Sequence, residues 1–445
     1  MIDLLSQGAS SLRAYQAAMN TTSENIANAN TDGYTRRTTQ LNELAATNDG
    51  LTTGLGVTVS GLSRASDELR NTEVRSTGSD LARTQASVTW LQRIDSALSD
   101  TKVADRLTAF FGTAQSLAAD PSSTPARSAM LSAAQQAADA FTAAGSALDG
   151  ASRELDANAD ASVASLNNLS QALASVNLSL GRTQANSAAK AQLLDQRDSL
   201  LEQMSAITDM SAQFDDLGRA TIRGGGANGP VLVQPGASVT ISAAHNDAGV
   251  YAFKVSQGGL SRSLVPQGGA LAGYSESARR IADAKATLDK TAKDFASGVN
   301  AVQARGADLS GNPGAPIFAM NADGGTANMT VVLADPAGIA AATAGGGPRD
   351  NGNLSALAAL RKTGGFETAV TDMVVANGSA LSGRKMVADA QGAIHDGAIT
   401  NRSQIRDVDL DQEAVDLLRF QQAYQASSHV IQTARDTFQT LLNIG

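Results

Sequence analysis

Leu5, Leu12, Met19 and Ile26 fall seven residues apart near the start of the chain, and Leu410, Leu417, Tyr424, Ile431 and Phe438 do the same near its end. A sustained seven-residue spacing is the seam of a coiled coil. A chain with one seam at each terminus is therefore constrained to bring its ends together. The companion positions are weak: Gly8, Ala9, Gln16 and Ser23 on the first seam, and Ser427, Ser428 and Ala434 on the second, are mostly small or polar. Short helices with so thin an apolar stripe do not hold themselves in water. The expectation is that both ends order only when packed against each other and against neighbouring copies, the alternative being two ordinary amphipathic helices on one globule.

Between the seams the pattern is helical. Leu81, Val88, Leu91, Ile94 and Leu98 recur at helical spacing, and a second run covers 107–119. Thr124 is placed to cap a further helix with Pro125 at its first position; it continues to about Met210 with a break near Gly181. Apolar residues make up 42% of the chain but aromatic ones only 4%, which favours long, closely packed helices over a core of large rings. From Arg219 to Gly259 short β-branched runs alternate with Gly, Pro and Asn turns and read as antiparallel strands. Helix returns at 271–302, a short strand is placed at 329–333, and helices follow at 354–361 and 366–392.

This order predicts a mainly α, elongated, multidomain protein with an inserted β-rich domain. Residues 1–34 and 405–445 form the terminal coiled coil. Residues 35–208, 273–305 and 349–404 form a long helical bundle domain, and residues 209–272 and 306–348 form an antiparallel β domain at the far end.

Composition narrows the chemistry. The net charge of -9 comes from acidic residues spread along the chain, which argues against nucleic acid or an anionic membrane as partner. There are no cysteines, hence no disulfides or thiol chemistry. No run of about 18 apolar residues is present, and Asp3 stands where a secretory leader carries basic residues, so neither membrane insertion nor a cleaved leader is expected. The acidic run Asp407, Asp409, Asp411 and Glu413 resembles a calcium loop but has Gln412 at the glycine position and Leu418 at the bidentate position. It reads better as a helix start capped by Asp409. Gly224, Gly226 and Gly229 are followed by Pro230 and a β run, which makes them a turn and not a nucleotide loop. His245, His395 and His429 are isolated, and no nucleophile elbow, phosphate loop or zinc motif occurs. The expectation is a chain with no catalytic residues, no cofactor and no metal.

The stretch "SENIANANTDGYTRR", Ser23 to Arg37, closes the first helix. Asn25, Asn28 and Asn30 tolerate left-handed backbone and Gly33 has no Cβ to clash in it. Tyr34 offers an amphipathic anchor, and Arg36 and Arg37 offer donors for a neighbouring carboxylate or carbonyl. On its residues alone the segment reads either as a hinge between the first helix and the body or as a simple loop.

"ENIANANTDGYTRR" resembles the N-terminal signature of bacterial flagellar rod, hook and hook-associated proteins, and "LDQEAVDLLRFQQAYQASSHVIQTARDTFQTLLNIG" is similar to the terminal helix of the same group. Inside the chain, "GLGVTVSGLSRASDELR", "LLDQRDSLLEQMSAI", "GGALAGYSESARR" and "GADLSGNPGAPIF" resemble the hook-associated family at the hook-filament junction, in matching order. The likeness is weakest from about Gln213 to Val265. Asp32 stands where the family usually has Pro, and Ser11 where Gly often precedes Leu.

The resemblance implies a structural protein, exported through the flagellar export apparatus with a cytoplasmic chaperone on its C-terminal region. It further implies assembly with copies of itself, with hook protein and with the second junction protein, in the extracellular flagellum. A hook or distal rod protein, a periplasmic adaptor and a flagellum-associated hydrolase are the other readings; the interior likeness, the missing leader and the lack of a convergent acid/base pair speak against them in turn.

Overall fold

The computed structural model of the chain describes residues 2–45, 54–245, 251–257, 259–321 and 324–444. Its helices are α1 (Ile2–Ala27), α2 (Glu68–Ser99), α3 (Val103–Ala119), α4 (Thr124–Arg182), α5 (Ala188–Ile207), α6 (Gly269–Arg305), α7 (Gly352–Gly364), α8 (Phe366–Arg406) and α9 (Leu410–Ile444). A hairpin of β1 (Arg37–Ala45) and β2 (Gly54–Arg64) follows α1. Between α5 and α6 lie a four-stranded sheet of β3 (Met210–Phe214), β4 (Ala220–Gly224), β5 (Val231–Gln234) and β6 (Ala237–Ser238), and a three-stranded sheet of β7 (Thr240–His245), β8 (Tyr251–Gln257) and β9 (Leu260–Leu264). Between α6 and α7, β10 (Gly306–Ala307) pairs with β13 (Ala342–Thr343), and β11 (Phe318–Met320) with β12 (Met329–Val331). Every pairing is antiparallel.

The frame of the body is α4, 59 residues long and so about 90 Å from end to end. Its N-cap is Ser123, whose hydroxyl accepts from the Ala126 amide, one residue before the position expected from the sequence. Its buried face is largely alanine, including Ala134, Ala137, Ala138, Ala144 and Ala159. Small side chains let α3, α5 and α6 lie close along it. Gly145 marks the tightest approach, since a Cβ there would fall 1.7 Å from the Thr326 carbonyl oxygen. Where large residues do occur they concentrate: the ring of Phe295 on α6 has those of Phe110, Phe111, Phe141, Phe318 and Phe366 around it, at 5.2 to 6.1 Å between centroids. One ring knot thus joins α3, α4, α6, β11 and α8.

The strands attach to the helices by a repeated device. The Asn177 side chain donates to the Ala220 carbonyl and accepts from the Ala220 amide, both at 2.8 Å. Asn167 does the same to Ile241 at 2.8 Å, and the Thr142 hydroxyl to Met329 at 3.1 Å. The strand residues therefore find hydrogen-bond partners on a helix where the sheet offers none. Their order along α4 corrects one expectation. Residues 209–272 and 306–348 do not form one β unit: the second packs beside Arg127 to Asp149, the first beside Asp156 to Asn177. A second correction concerns residues 37–64, assigned to the helical bundle domain and found as the hairpin β1–β2.

Two carboxylates tie body elements together. Glu276 on α6 pairs with Arg384 on α8, with Arg83 on α2 at 3.6 Å and with Arg280 at 3.5 Å. Asp149 on α4 meets Lys285 at 2.7 Å and the Thr326 amide at 2.9 Å. Burial alone would raise both carboxyl pKa values, but the cations and donors outweigh it and hold both below the usual carboxylate range. Groups depressed on folding contribute stability that is present above the unfolded carboxylate pKa, about 4, and lost as pH falls through the lower folded values. The melting temperature should therefore be flat from pH 7 to about 5 and fall below about 4. An Asp149→Asn/Glu276→Gln variant, scanned over the same range, should show a shallower acid limb. Separately, Asn177→Leu keeps the volume but strips both partners from Ala220; urea unfolding should show a loss on the order of 3 kcal/mol.

Candidate functional site

Helices α1 and α9 run antiparallel, with Gly8 against Ile431 at one end and Asn25 against Glu413 at the other. Gly8, which looked like a weak layer, is the recess for Ile431: a Cβ at position 8 would come within 2.5 Å of the Ile431 side chain. The seven-residue rows are not the deeply buried ones in the single chain. Leu5, Leu12, Met19, Leu417, Tyr424 and Ile431 are half-buried, and Ile26, Leu410 and Phe438 are exposed. The buried positions are Gly8, Ala14, Ala18, Thr21, Thr22 and Asn25 on α1 and Glu413, Ser427 and Ala434 on α9. The reason is that α1 has two packed faces, one toward α9 and one toward β1–β2, where Thr39 donates to the Thr21 hydroxyl at 2.9 Å.

The signature segment crosses between these helices and the body. The Asn25 side chain donates to the Arg37 carbonyl at 2.8 Å and to Glu413 Oε2 at 3.0 Å; its oxygen accepts from the Arg37 amide at 3.0 Å and the Tyr34 hydroxyl at 2.8 Å. Glu413, 1% exposed, also accepts from Arg36 Nε at 2.6 Å. Arg36 thus finds the carboxylate its position called for, and its Nη2 lies 3.5 Å from Asp416. Asn28 closes the helix by donating to the Glu24 carbonyl at 2.9 Å, Asn30 is exposed, and Gly33 takes φ +81° beside the Arg406 guanidinium. The second crossing runs alongside: the Arg36 amide donates to the Arg406 carbonyl at 2.9 Å, and Arg406 Nε to the Tyr34 carbonyl at 3.2 Å. Burial raises the Tyr34 hydroxyl pKa against the opposing pull of Arg37, 4.8 Å over its ring. Asp409 caps α9 by accepting from the Asp411 and Gln412 amides at 3.0 and 3.2 Å.

A cluster absent from the sequence reading completes the joint. Arg37 and Arg64 are directly opposite each other in the hairpin ladder, and like charges so placed repel. Asp195 on α5 sits between them, 3.1 Å from Arg37 and 2.8 Å from Arg64; Asp198, one turn on, is 2.8 Å from Arg64 and 2.6 Å from Arg197. Burial alone would raise the Asp198 carboxyl pKa, but Arg197 and Arg64 hold it below the usual range. A cleft of about 960 Å³ opens between α1 and the α4–α5 pair, with Glu24, Tyr34, Arg37, Val176 and Asp195 on its walls.

The remaining singled-out residues lie elsewhere. His395 Nδ1 is 3.0 Å from the Thr77 hydroxyl between α8 and α2, and His429 is exposed on α9. The His245 side chain lies outside the described residues. Gly224, Gly226 and Gly229 form the β4–β5 turn, where the Gly229 amide donates to the Gly226 carbonyl at 3.1 Å. No helix among the described residues is long and apolar enough to cross a membrane.

Comparison with known proteins agrees with this geometry. Residues 91–318 match the family described as "Flagellar hook-associated protein FlgK helical domain". Residues 5–35 match "Flagella basal body rod protein" and residues 405–444 match "Flagellar basal body rod FlgEFG protein C-terminal". Flagellar hook-associated protein 1 of Escherichia coli (strain K12) is 26% identical over 551 aligned positions covering 100% of both chains. The protein of the same name from Bacillus subtilis (strain 168) is 25% identical over 97% of this chain and 96% of its own. The solved structure of the flagellar hook junction protein FlgK from Burkholderia pseudomallei superposes with a TM-score of 0.67 at 17% identity, over 75% of this chain and 99% of that one. With a family match across more than half its length and a rod-type match at each end, the chain belongs to the flagellar hook-associated protein FlgK family.

Proposed function

We propose that the α1–α9 pair is the assembly element of this protein and that the Asn25–Arg37 segment is the joint on which it turns. The chain is a structural component of the flagellum at the junction of hook and filament, assembling with other axial proteins. Within that role, residues 1–34 with 405–445 act as the inner, tube-forming part and the helical body stands outside it. The observation that carries this reading is the apolar surface the pair leaves open: Leu4, Ile26, Leu410, Val415, Leu418, Val430 and Phe438 are all exposed. An exposed apolar row on a helix already packed along its other face suits burial against further helices. Copies of this chain, hook protein below and the second junction protein above would supply them.

The same surface supports the reading of an exported chain. A pair held by small residues and one polar lock separates more readily than one with a full apolar seam, which suits passage through the flagellar export apparatus to the extracellular flagellum. The exposed face of α9 is the natural site for a cytoplasmic chaperone that covers the C-terminal region before export. In the mature assembly the joint would let the inner helices adapt to a mobile hook on one side and a stiffer filament on the other.

Complementation of a deletion strain tests the reading. Leu12→Asp or Ile431→Asp should give complete hooks without filaments by electron microscopy and flagellin shed into the medium, while the purified variant keeps the thermal transition of the helical body. Normal filaments, or loss of the body's transition, would overturn it. Glu413→Ala leaves Arg36 and Asn25 without their shared acceptor and should destabilise the α1–α9 pair by about 2 kcal/mol, discounted for the partial exposure of Arg36. Hydrogen exchange should register the loss in α1 and α9 and not in α4.

A further inference from the structure

The cluster beneath the cleft divides cleanly between two parts of the molecule. Arg37 and Arg64 belong to the hairpin, which is bound to α1 through the Asn25 side chain and the Thr39–Thr21 hydroxyl pair. Asp195 and Asp198 belong to α5, and Asp198 is fixed there by Arg197. That residue is itself held by the Gly218 carbonyl at 2.7 Å and lies over the Phe214 ring at 4.1 Å. All four side chains that meet across the division are 10 to 14% exposed. Apart from them, the described backbone contact between hairpin and α5 region is the Leu62 amide on the Asn186 carbonyl, at 2.7 Å.

The chain crosses between the parts at 65–67 and 407–409, and the link at 28–36 stitches these crossings together. The Arg36 amide donates to the Arg406 carbonyl and the Ala65 amide to the Arg36 carbonyl, both at 2.9 Å. A pivot is therefore built at one edge of the hairpin, with the ion cluster beside it and the 960 Å³ cleft opening beyond. Two arginines opposed in one ladder have no reason to stay close unless a carboxylate lies between them.

We propose that Asp195 and Asp198 form a two-carboxylate latch that docks the hairpin on α5, and that releasing this latch swings the α1–α9 pair about the joint and widens the cleft. The latch sets the angle between terminal helices and body, so its state decides which angles a copy can adopt. It refines the joint of the proposed function, yet it is measurable in the isolated chain without assembly.

The chain has no cysteine, so Gln16→Cys on α1 and Ser165→Cys on α4, both exposed, can carry a pair of spin labels without background. Pulsed electron resonance on the full chain should give one narrow distance peak. Asp195→Asn/Asp198→Asn in that background should lose it in favour of a broad distribution shifted to longer distances, with the far-ultraviolet helix signal unchanged. Arg64→Gln removes the same pairs from the hairpin side and is read in the same way should the double variant fail to fold. An unchanged narrow peak in the folded variants would overturn the latch, whatever the outcome of the complementation experiments.

Discussion

Asn25 binds both backbone groups of Arg37 through one side-chain amide, and the architecture repeats that interaction at three further strand–helix contacts. Asn167 holds Ile241, Asn177 holds Ala220, and Asn300 holds Phe318 while also accepting from the Ile317 amide at 2.9 Å. Sheets of two to four short strands have little stability of their own. Their outer residues would otherwise present bare amides and carbonyls, which burial makes costly. A helix-borne amide supplies donor and acceptor at the spacing a neighbouring strand would. Long helices can therefore carry small sheets as attachments at fixed points. The same bracket at Asn25 ties the hairpin to α1 and so makes the joint.

What the sequence reveals follows from how far apart the partners lie. The helices of the body announce themselves because their apolar residues repeat within one turn, and the Asp409 cap because the amides it accepts from are two and three residues on. Arg36 and Arg37 were legible as donors in search of acceptors, since two adjacent cations after a helix stop need partners. Their partners were not: Glu413 is 377 positions from Arg36, and Asp195 is 158 from Arg37. Nothing local distinguishes Glu413 from its acidic neighbours in the run at the start of α9, although it alone of the four is buried. The amide brackets escape for the same reason, because an Asn inside a helix reads only as a poor helix former.

The hairpin was missed for a different one. Gly56 and Gly61 adopt φ of +108° and +145°, which breaks the alternation that would mark β2 as a strand, and the ladder shifts register between Gln40 and Leu41. At Gly61 the backbone passes so close to Asn186 that a Cβ would lie 2.3 Å from that side chain. The irregularity is thus the docking contact itself. An element shaped by what it packs on carries a weak local signal.

The α1–α9 pair shows how a chain can fix geometry without committing its apolar surface. Buried polar groups contribute little net stability, and their value lies in penalising every arrangement that leaves them unpaired. Glu413 finds Arg36 and Asn25 in one antiparallel register only; a slip of one turn along α1 would leave a buried carboxylate without donors. Gly8 adds a steric condition at the other end, admitting Ile431 where any larger residue would hold it off. Register is therefore set by one hydrogen-bonded cluster and one recess, while Leu410, Leu418 and Phe438 stay exposed. A neighbour that covers those residues gains hydrophobic burial without having to reorder the pair, so the driving force for assembly is kept apart from the interactions that define the subunit's shape.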